Sequence, residues 1–374
     1  MTFGAVIMIG AAADSLPERL VLEAQRAATL DLIEQLQKAL DCPIIVSSPH
    51  LDWLPADQNV IRELDPVDQP FHFGRRLADL IELHHLERVL YFGGGSAPLV
   101  DAQMLGMLGG LLLAAGSAKI PAQVALTNNR HSSDWVCFTE AHQVLPLIRQ
   151  SNRDNSLAWS LQETGEYEIR VMSGIRPSTS MDLDTPTDLA IIRAHPECPP
   201  HLQAVTSHPS LDRIPVQPIV DTLRREGSQV IMIGRVSPLA WQAVNKVTRC
   251  WLRVFAEERG MVGSERLERG EVRSLLGLIL KDRGAVGFFA ALADMGDAVI
   301  MDNRVLFADH YSGMPSAADR FASDMYDVDA ITDPWLREFT QAALASPIPV
   351  LMGGHTVVAG GLYAIAEMLA ATSG

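Results

Sequence analysis

Short apolar runs, each followed by small or polar residues and then by apolar positions recurring every three or four residues, organise the chain from its start. Residues 5–9 predict a strand. Leu22, Leu30, Ile33, Leu36 and Leu40 lie at helical spacing and predict a helix over residues 17–40. Further strands are predicted at 42–46, 88–92 and 122–126, with a helix at 73–86. A second helix at 99–115 follows a GGGSAP turn, with Pro98 near its first turn. Residues 161–171 alternate as a strand or hairpin should, and 188–194 read as a short helix behind TPTD. Strand, loop and helix in alternation predict an α/β fold with a largely parallel sheet.

The character changes at residues 195–218, where six prolines and three histidines predict a linker or irregular covering segment. The boundary is placed near residue 210, giving domains 1–210 and 211–374. In the second, 230–233 predicts a strand. Trp241, Val244, Val247, Trp251 and Val254 predict one long helix over 238–258. Helices are predicted at 270–280 and 284–294, strands at 297–307 and 348–352, and a last helix running through residue 369. This half is α/β with more helix.

Composition narrows the function. The 374 residues suit two domains, and 48% hydrophobic against 20% charged residues is an ordinary globular balance. A formal net charge of −15 repels phosphate polyanions, so nucleic acid is excluded as the expected partner. Cys42, Cys137, Cys198 and Cys250 are too scattered for a metal knuckle or a disulfide framework, which fits a reduced, cytoplasmic interior. The first residues lack a basic leader. The longest apolar stretch, residues 104–115, contains three glycines and falls short of the ~20 residues a membrane-spanning helix needs. A homodimer is expected on general frequency alone.

Chemistry concentrates in a few segments. In SMDLDTPTDLAII, Asp182 and Asp184 point to one side of an extended chain and could share a hard divalent cation. Thr185, Pro186 and Asp188 equally make a good helix start. Gly93, Gly94, Gly95 and Ser96 would let a backbone approach an anion, or would form a tight turn. The TNNRHSSDW segment is rich in hydrogen-bonding side chains and reads either as a ligand loop or as an exposed loop with Asx turns. In the second half, Arg235 follows a strand and could hold a phosphate or carboxylate, the alternative being an ordinary turn capped by Ser237. The aspartates between residues 301 and 333 match no metal motif and read mainly as an acidic surface. The exception is MDNRVLFADH, where Asp302 and a predicted strand ending at Asp309 and His310 put polar groups at a sheet edge. His355, after a GGH turn, could bind an anion or serve as an acid or base.

DLDTPTDL resembles the DxDTPxDL signature of the nucleotidyltransferase-like fold shared by MobA-like guanylyltransferases and CofC-like 2-phospholactate guanylyltransferases. YFGGGSAPLV is similar to that family's GDxPL segment, TNN to a GTN, and the segment from Asn152 to Met172 to the loop and helix before the terminal motif. The resemblance covers roughly residues 1–195. It implies a three-layer α/β/α sandwich of nucleotide-diphospho-sugar transferase type and magnesium-dependent transfer of a nucleotide from an NTP to a small phosphorylated or otherwise nucleophilic acceptor. It further implies metal ligation by Asp182 and Asp184, phosphate contacts at residues 93–96, and acceptor or phosphate contacts by Thr127, Asn129 and Ser156. Two positions depart from the family: IGAAADSLPERL carries Asp14 where a basic phosphate loop stands, and Ser96 replaces the acid of GDxPL, with Asp101 five residues on. A protein that retained the fold and binds a ligand or partner without transfer is the alternative expectation.

Overall fold

The computed structural model describes residues 2–10, 13–66, 70–172 and 177–371. The chain divides into two units. Residues 1–12, 25–180 and 199–201 make the first, and 13–24, 181–198 and 202–374 make the second. The division differs from the boundary expected near residue 210, because the DLDTPTDL segment and the helix behind it fold with the C-terminal half.

The first unit is a seven-stranded sheet: β1 (Thr2–Met8), β2 (Ile44–Ser48), β3 (Ile61–Leu64), β4 (Leu86–Gly93), β5 (Val124–Thr127), β6 (Trp135–Phe138) and β7 (Glu168–Val171). Their order is β3-β2-β1-β4-β6-β5-β7, and only β6 runs antiparallel to its neighbours. Alternation along each strand feeds two cores. Ala5, Ile7, Leu90, Phe92, Leu126 and Cys137 pack on one side with Leu105 and Leu108 of the helix Ala102–Leu113. Val6, Met8, Val89, Tyr91, Ala125 and Val136 pack on the other with Leu77 and Ile81 of the helix Phe73–Leu83. Each Val, Leu, Ile, Phe or Met among them that is fully withdrawn from water contributes about 1.5–3 kcal/mol before entropy is counted, and a sheet covered on both faces cannot slip register without exposing them. This is the three-layer α/β/α sandwich that the resemblance implied.

The second unit holds four parallel strands, β8 (Gln229–Gly234), β9 (Trp251–Ala256), β10 (Ala298–Asp302) and β11 (Val350–Gly353), in the order β11-β10-β8-β9. Ile231, Ile233, Val299, Met301, Val350 and Met352 face a core completed by Phe288, Phe289, Phe307 and Phe339. The β8-to-β9 connection is the helix Pro238–Val247, which packs on the helix Gly360–Ala371. The β10-to-β11 connection instead lends Leu306, Phe307, Ala322, Leu336 and Phe339 to the phenylalanine-rich face. The chain therefore leaves β8 and β10 in opposite directions over opposite faces. That makes their carboxyl ends the topological switch point, the crevice where open parallel sheets present ligand sites.

Several expected elements differ. The long helix over 238–258 ends at Val247, and Trp251–Ala256 is a strand built of β-favouring residues. The strand over 297–307 stops at Asp302, so Asp309 and His310 lie on the helix Arg304–Tyr311 and not at a sheet edge. Residues 195–218 are no irregular linker: they contain the helix Pro200–Thr206 and the start of the helix Val216–Arg224, and Leu202, Leu211 and Ile214 are buried. Residues 161–171 split into the end of the helix Leu157–Glu163 and the strand β7. The two helices expected at 270–280 and 284–294 are both present within Leu275–Met295, divided by the non-helical Gly284 at φ +68° and ψ 170°; only the start differs, at Leu275 and not at residue 270.

Candidate functional sites

In the first unit the glycine segment sits at the carboxyl end of β4, beside the end of β1. The Gly94 N–H donates to the Met8 carbonyl at 2.8 Å, and a Cβ on Gly94 would fall 2.7 Å from Ile9 Cγ1. Only glycine allows that approach. The loop closes on itself: the Ser96 amide donates to the Gly93 carbonyl at 3.1 Å and its hydroxyl to the same oxygen at 2.8 Å. Gly95 takes φ +88° within the turn. The following helix does not begin at residue 99 as expected. It begins after Asp101, whose carboxylate accepts the Met104 N–H at 2.8 Å as an N-cap. The glycines therefore stand apart from the helix terminus.

Beside this turn lies a carboxyl that pattern reading passes over. Asp154 accepts the Tyr91 hydroxyl at 3.3 Å and the Asn155 N–H at 2.8 Å, and its Oδ2 would lie 3.3 Å from a Cβ on Gly93. Burial pushes the Asp154 carboxyl above the usual range, against the pull of those hydrogen bonds. Its only signal in the sequence is one acidic residue in NRDNS, a segment that draws notice for Ser156 alone. Thr127 is fully buried and donates to the Trp135 carbonyl at 3.0 Å. Asn128 pairs with Asp134, whose N–H donates to Asn128 Oδ1 at 3.1 Å. Asn129 accepts the His131 N–H at 3.0 Å in an Asx turn, and Ser156 donates to the Arg153 carbonyl at 2.8 Å.

Asp182 and Asp184 belong to the second unit, whereas residues 93–96, Thr127, Asn129 and Ser156 belong to the first. Asp182 is half-buried, Leu183 between them is buried, and Asp184 is exposed, so the chain there alternates as an extended segment should. Asp182 Oδ1 accepts the Leu183 N–H at 3.0 Å. The rest of the motif builds a helix start. Asp188 is fully buried, and its Oδ2 accepts the Asp184 N–H at 3.1 Å, the Thr185 N–H at 2.8 Å and the Thr185 hydroxyl at 2.9 Å, within a capping box ahead of Pro186–Ala194. Burial, then the Asp184 charge, raises the Asp188 carboxyl well above its usual range. Thr187 donates to the Met352 carbonyl at 2.7 Å, which ties the motif to β11. Among the described residues no group of three or more His, Cys, Asp or Glu side chains could hold a metal ion. Two hard carboxylates therefore fit only a cation, such as Mg2+, that draws most of its ligands from phosphate and water.

The second unit gathers three of its four expected residues at the switch point. Asp302, fully buried at the end of β10, accepts the Arg235 N–H at 3.2 Å and Nε at 2.6 Å through Oδ2, and Nη2 at 3.1 Å and the Arg304 N–H at 3.3 Å through Oδ1. Gly234 makes this possible: it holds φ +105°, and a Cβ on it would lie 2.6 Å from the Asp302 carbonyl oxygen. Burial alone would raise the Asp302 carboxyl, but the Arg235 charge and hydrogen bonds outweigh it and hold it below the ordinary value. His355, one residue past Gly354 at the end of β11, is partly exposed. Burial and the Arg235 charge push its imidazole down to about 4, with Asp302 opposing and the Arg259 charge adding, so it is neutral at pH 7. His310 is elsewhere, stacked on Trp335 with ring centroids 3.9 Å apart.

No protein-family model and no curated protein matches the chain. Among solved structures, a cytidylyltransferase from Leptospira borgpetersenii serovar Hardjo-bovis is 13% identical, covering 56% of this chain and 96% of its own, with a TM-score of 0.39. The 2-C-methyl-D-erythritol 4-phosphate cytidylyltransferase from Thermus thermophilus is 14% identical over 56% of this chain and 100% of its own, with a TM-score of 0.34. The likeness is one of chain trace. At such scores it carries nothing about chemistry.

Proposed function

We propose that the chain is a nucleotidyltransferase: an acceptor oxygen attacks the α-phosphorus of an NTP, the bond to the bridging oxygen breaks, and pyrophosphate leaves as the acceptor loses its proton. The observation that carries this reading is the close-packed glycine turn at the carboxyl end of β4, set against the half-buried Asp154 carboxyl. On this reading residues 93–95 receive phosphate and Asn129 and Ser156 contact the acceptor, while Thr127, fully buried with its hydroxyl on the Trp135 and Asn129 carbonyls, holds that loop in place and touches no ligand. Asp182 and Asp184 would hold Mg2+, which when bound neutralises charge on phosphate oxygens. The chain's own contribution is positional: the turn is tied to the Met8 carbonyl and closed on the Gly93 carbonyl, so its backbone groups need little reorganisation as charge develops.

One observation favours the alternative of binding without transfer. Where the resembling family carries an acid, Ser96 turns its hydroxyl inward onto Gly93. Calorimetry of the full chain with each NTP and Mg2+, followed by pyrophosphate release across phosphorylated acceptors, separates the two. Binding with release supports transfer, binding without release for any acceptor supports the second reading, and no binding at all removes both.

A further inference from the structure

We infer that the carboxyl edge of the second sheet is a separate binding site for a small-molecule oxyanion, a phosphate ester or a carboxylate, gripped by the outer edge of the Arg235 guanidinium beside His355. The inference does not rest on the nucleotide reading, which concerns other residues.

Topology supplies the place. Arg235 and Asp302 stand at the ends of β8 and β10, the two strands that flank the switch point. Geometry supplies the chemistry. A guanidinium carries five donors in a planar fork. Arg235 spends its Nε and one hydrogen of Nη2 on Asp302, side-on. That leaves the end-on edge, the Nη1 pair and the outer Nη2 hydrogen, directed away from Asp302. The side chain retains 15% exposure, so this edge is not sealed in the core. An end-on guanidinium edge matches two oxygens of a carboxylate or phosphate.

Asp302 is not available to a ligand, since four donors already converge on it. It is a positioning residue that fixes the plane of the fork. Glu257, just past the end of β9, is likewise occupied: its carboxylate accepts from the Ser274 hydroxyl and the Leu275 N–H. Charge complements the geometry. Asp302 is neutralised by Arg235, and the exposed Arg259 adds its charge at His355. Arg259 thus brings a positive charge to the opening in a chain whose net charge is −15, with the hydrogen-bonded Glu257 carboxylate past β9 as the acidic neighbour. The uncharged imidazole gives a ligand hydroxyl a hydrogen-bond partner without adding a competing charge.

The test is calorimetric titration of the full chain with inorganic phosphate, sulfate and acetate at constant ionic strength. Wild type is expected to bind at least one of them at one site, with phosphate ahead of acetate for a phosphate-ester site and the reverse for a carboxylate site. Arg235→Lys keeps a cation for Asp302 but loses the two-pronged edge, so it should weaken binding about tenfold or more. His355→Asn should weaken it less, and provides the comparison if the lysine variant does not fold. A chain with both Asp182→Ala and Asp184→Ala should bind as wild type does. Absence of binding by all three probes, or binding unchanged in both Arg235→Lys and His355→Asn, overturns the inference.

Discussion

Replacing either member of the Arg235–Asp302 pair should reveal which partner depends on the other. Asp302 is fully buried and Arg235 is 15% exposed. If Asp302 is replaced by Leu, the guanidinium can turn its free end toward water. If Arg235 is replaced by Met, the carboxylate has no route to solvent. Breaking a buried pair by removing one partner costs about 3–5 kcal/mol, because the other charge stays desolvated. Arg235→Met should therefore fall at the upper end and Asp302→Leu at the lower. The double variant, which buries no lone charge, should cost at least about 2 kcal/mol less than the sum of the singles. The pH dependence adds a sign. In wild type the Asp302 carboxyl is held below its usual range. Its stabilising contribution is present above the unfolded value and is lost as pH falls through the folded one. In Arg235→Met the guanidinium charge and its hydrogen bonds are gone, and burial, the largest effect, is opposed mainly by the backbone N–H donors of residues 235 and 304, so the carboxyl rises and its contribution is present at low pH and lost as pH increases. The deficit of Arg235→Met should shrink between pH 8 and pH 5. Urea unfolding followed by circular dichroism at both pH values measures all four chains. Singles that add within about 0.5 kcal/mol, or a deficit that does not change with pH, would refute the reasoning.

Two further outcomes follow from local geometry. Gly234→Ala must place a side chain at φ +105° and against the Asp302 backbone, and should destabilise by about 2–4 kcal/mol in the same urea assay; a loss below about 0.5 kcal/mol would mean that β8 does not need glycine there. Asp188 has a raised folded pKa, so its contribution is complete below the unfolded value and declines as pH rises through the folded one. Asp188→Asn keeps an oxygen for the three capping donors, so it should gain on wild type as pH rises above the ordinary carboxyl range, and a difference that is flat or of the opposite sign contradicts the buried-carboxyl account.

Much of the scaffold is legible in the sequence because β1, β2, β4, β5, β8, β10 and β11 are apolar runs ending in small or polar residues. β3 is not, since IREL is largely exposed and carries no apolar pattern. β6 is hidden because WVCF is short and follows a polar loop. β9 is masked by coincidence: Trp251 and Val254 continue the three-and-four spacing of the preceding helix, yet Thr248 is extended and the chain turns into an edge strand. At the candidate sites, Arg235, Asp302 and His355 are visible because each stands just at or beyond the end of an apolar run. His310 is misplaced by its sequence context because its strand stops early, and a helix then directs it onto Trp335. The DLDTPTDL motif carries two messages in one string: its second half is consumed by a capping box, and only tertiary contacts reveal that the segment folds with the C-terminal unit.

The central functional proposal is that this chain binds a nucleoside triphosphate, with Asp182 and Asp184 as the residues that would hold a magnesium ion. Calorimetric titration of wild type and of the Asp182→Ala, Asp184→Ala double variant with each NTP, with and without Mg2+, tests it most directly. The account predicts that one NTP binds only when Mg2+ is present and that the variant loses about tenfold or more in affinity. Equal affinity in the variant, or indifference of the wild type to Mg2+, would contradict it.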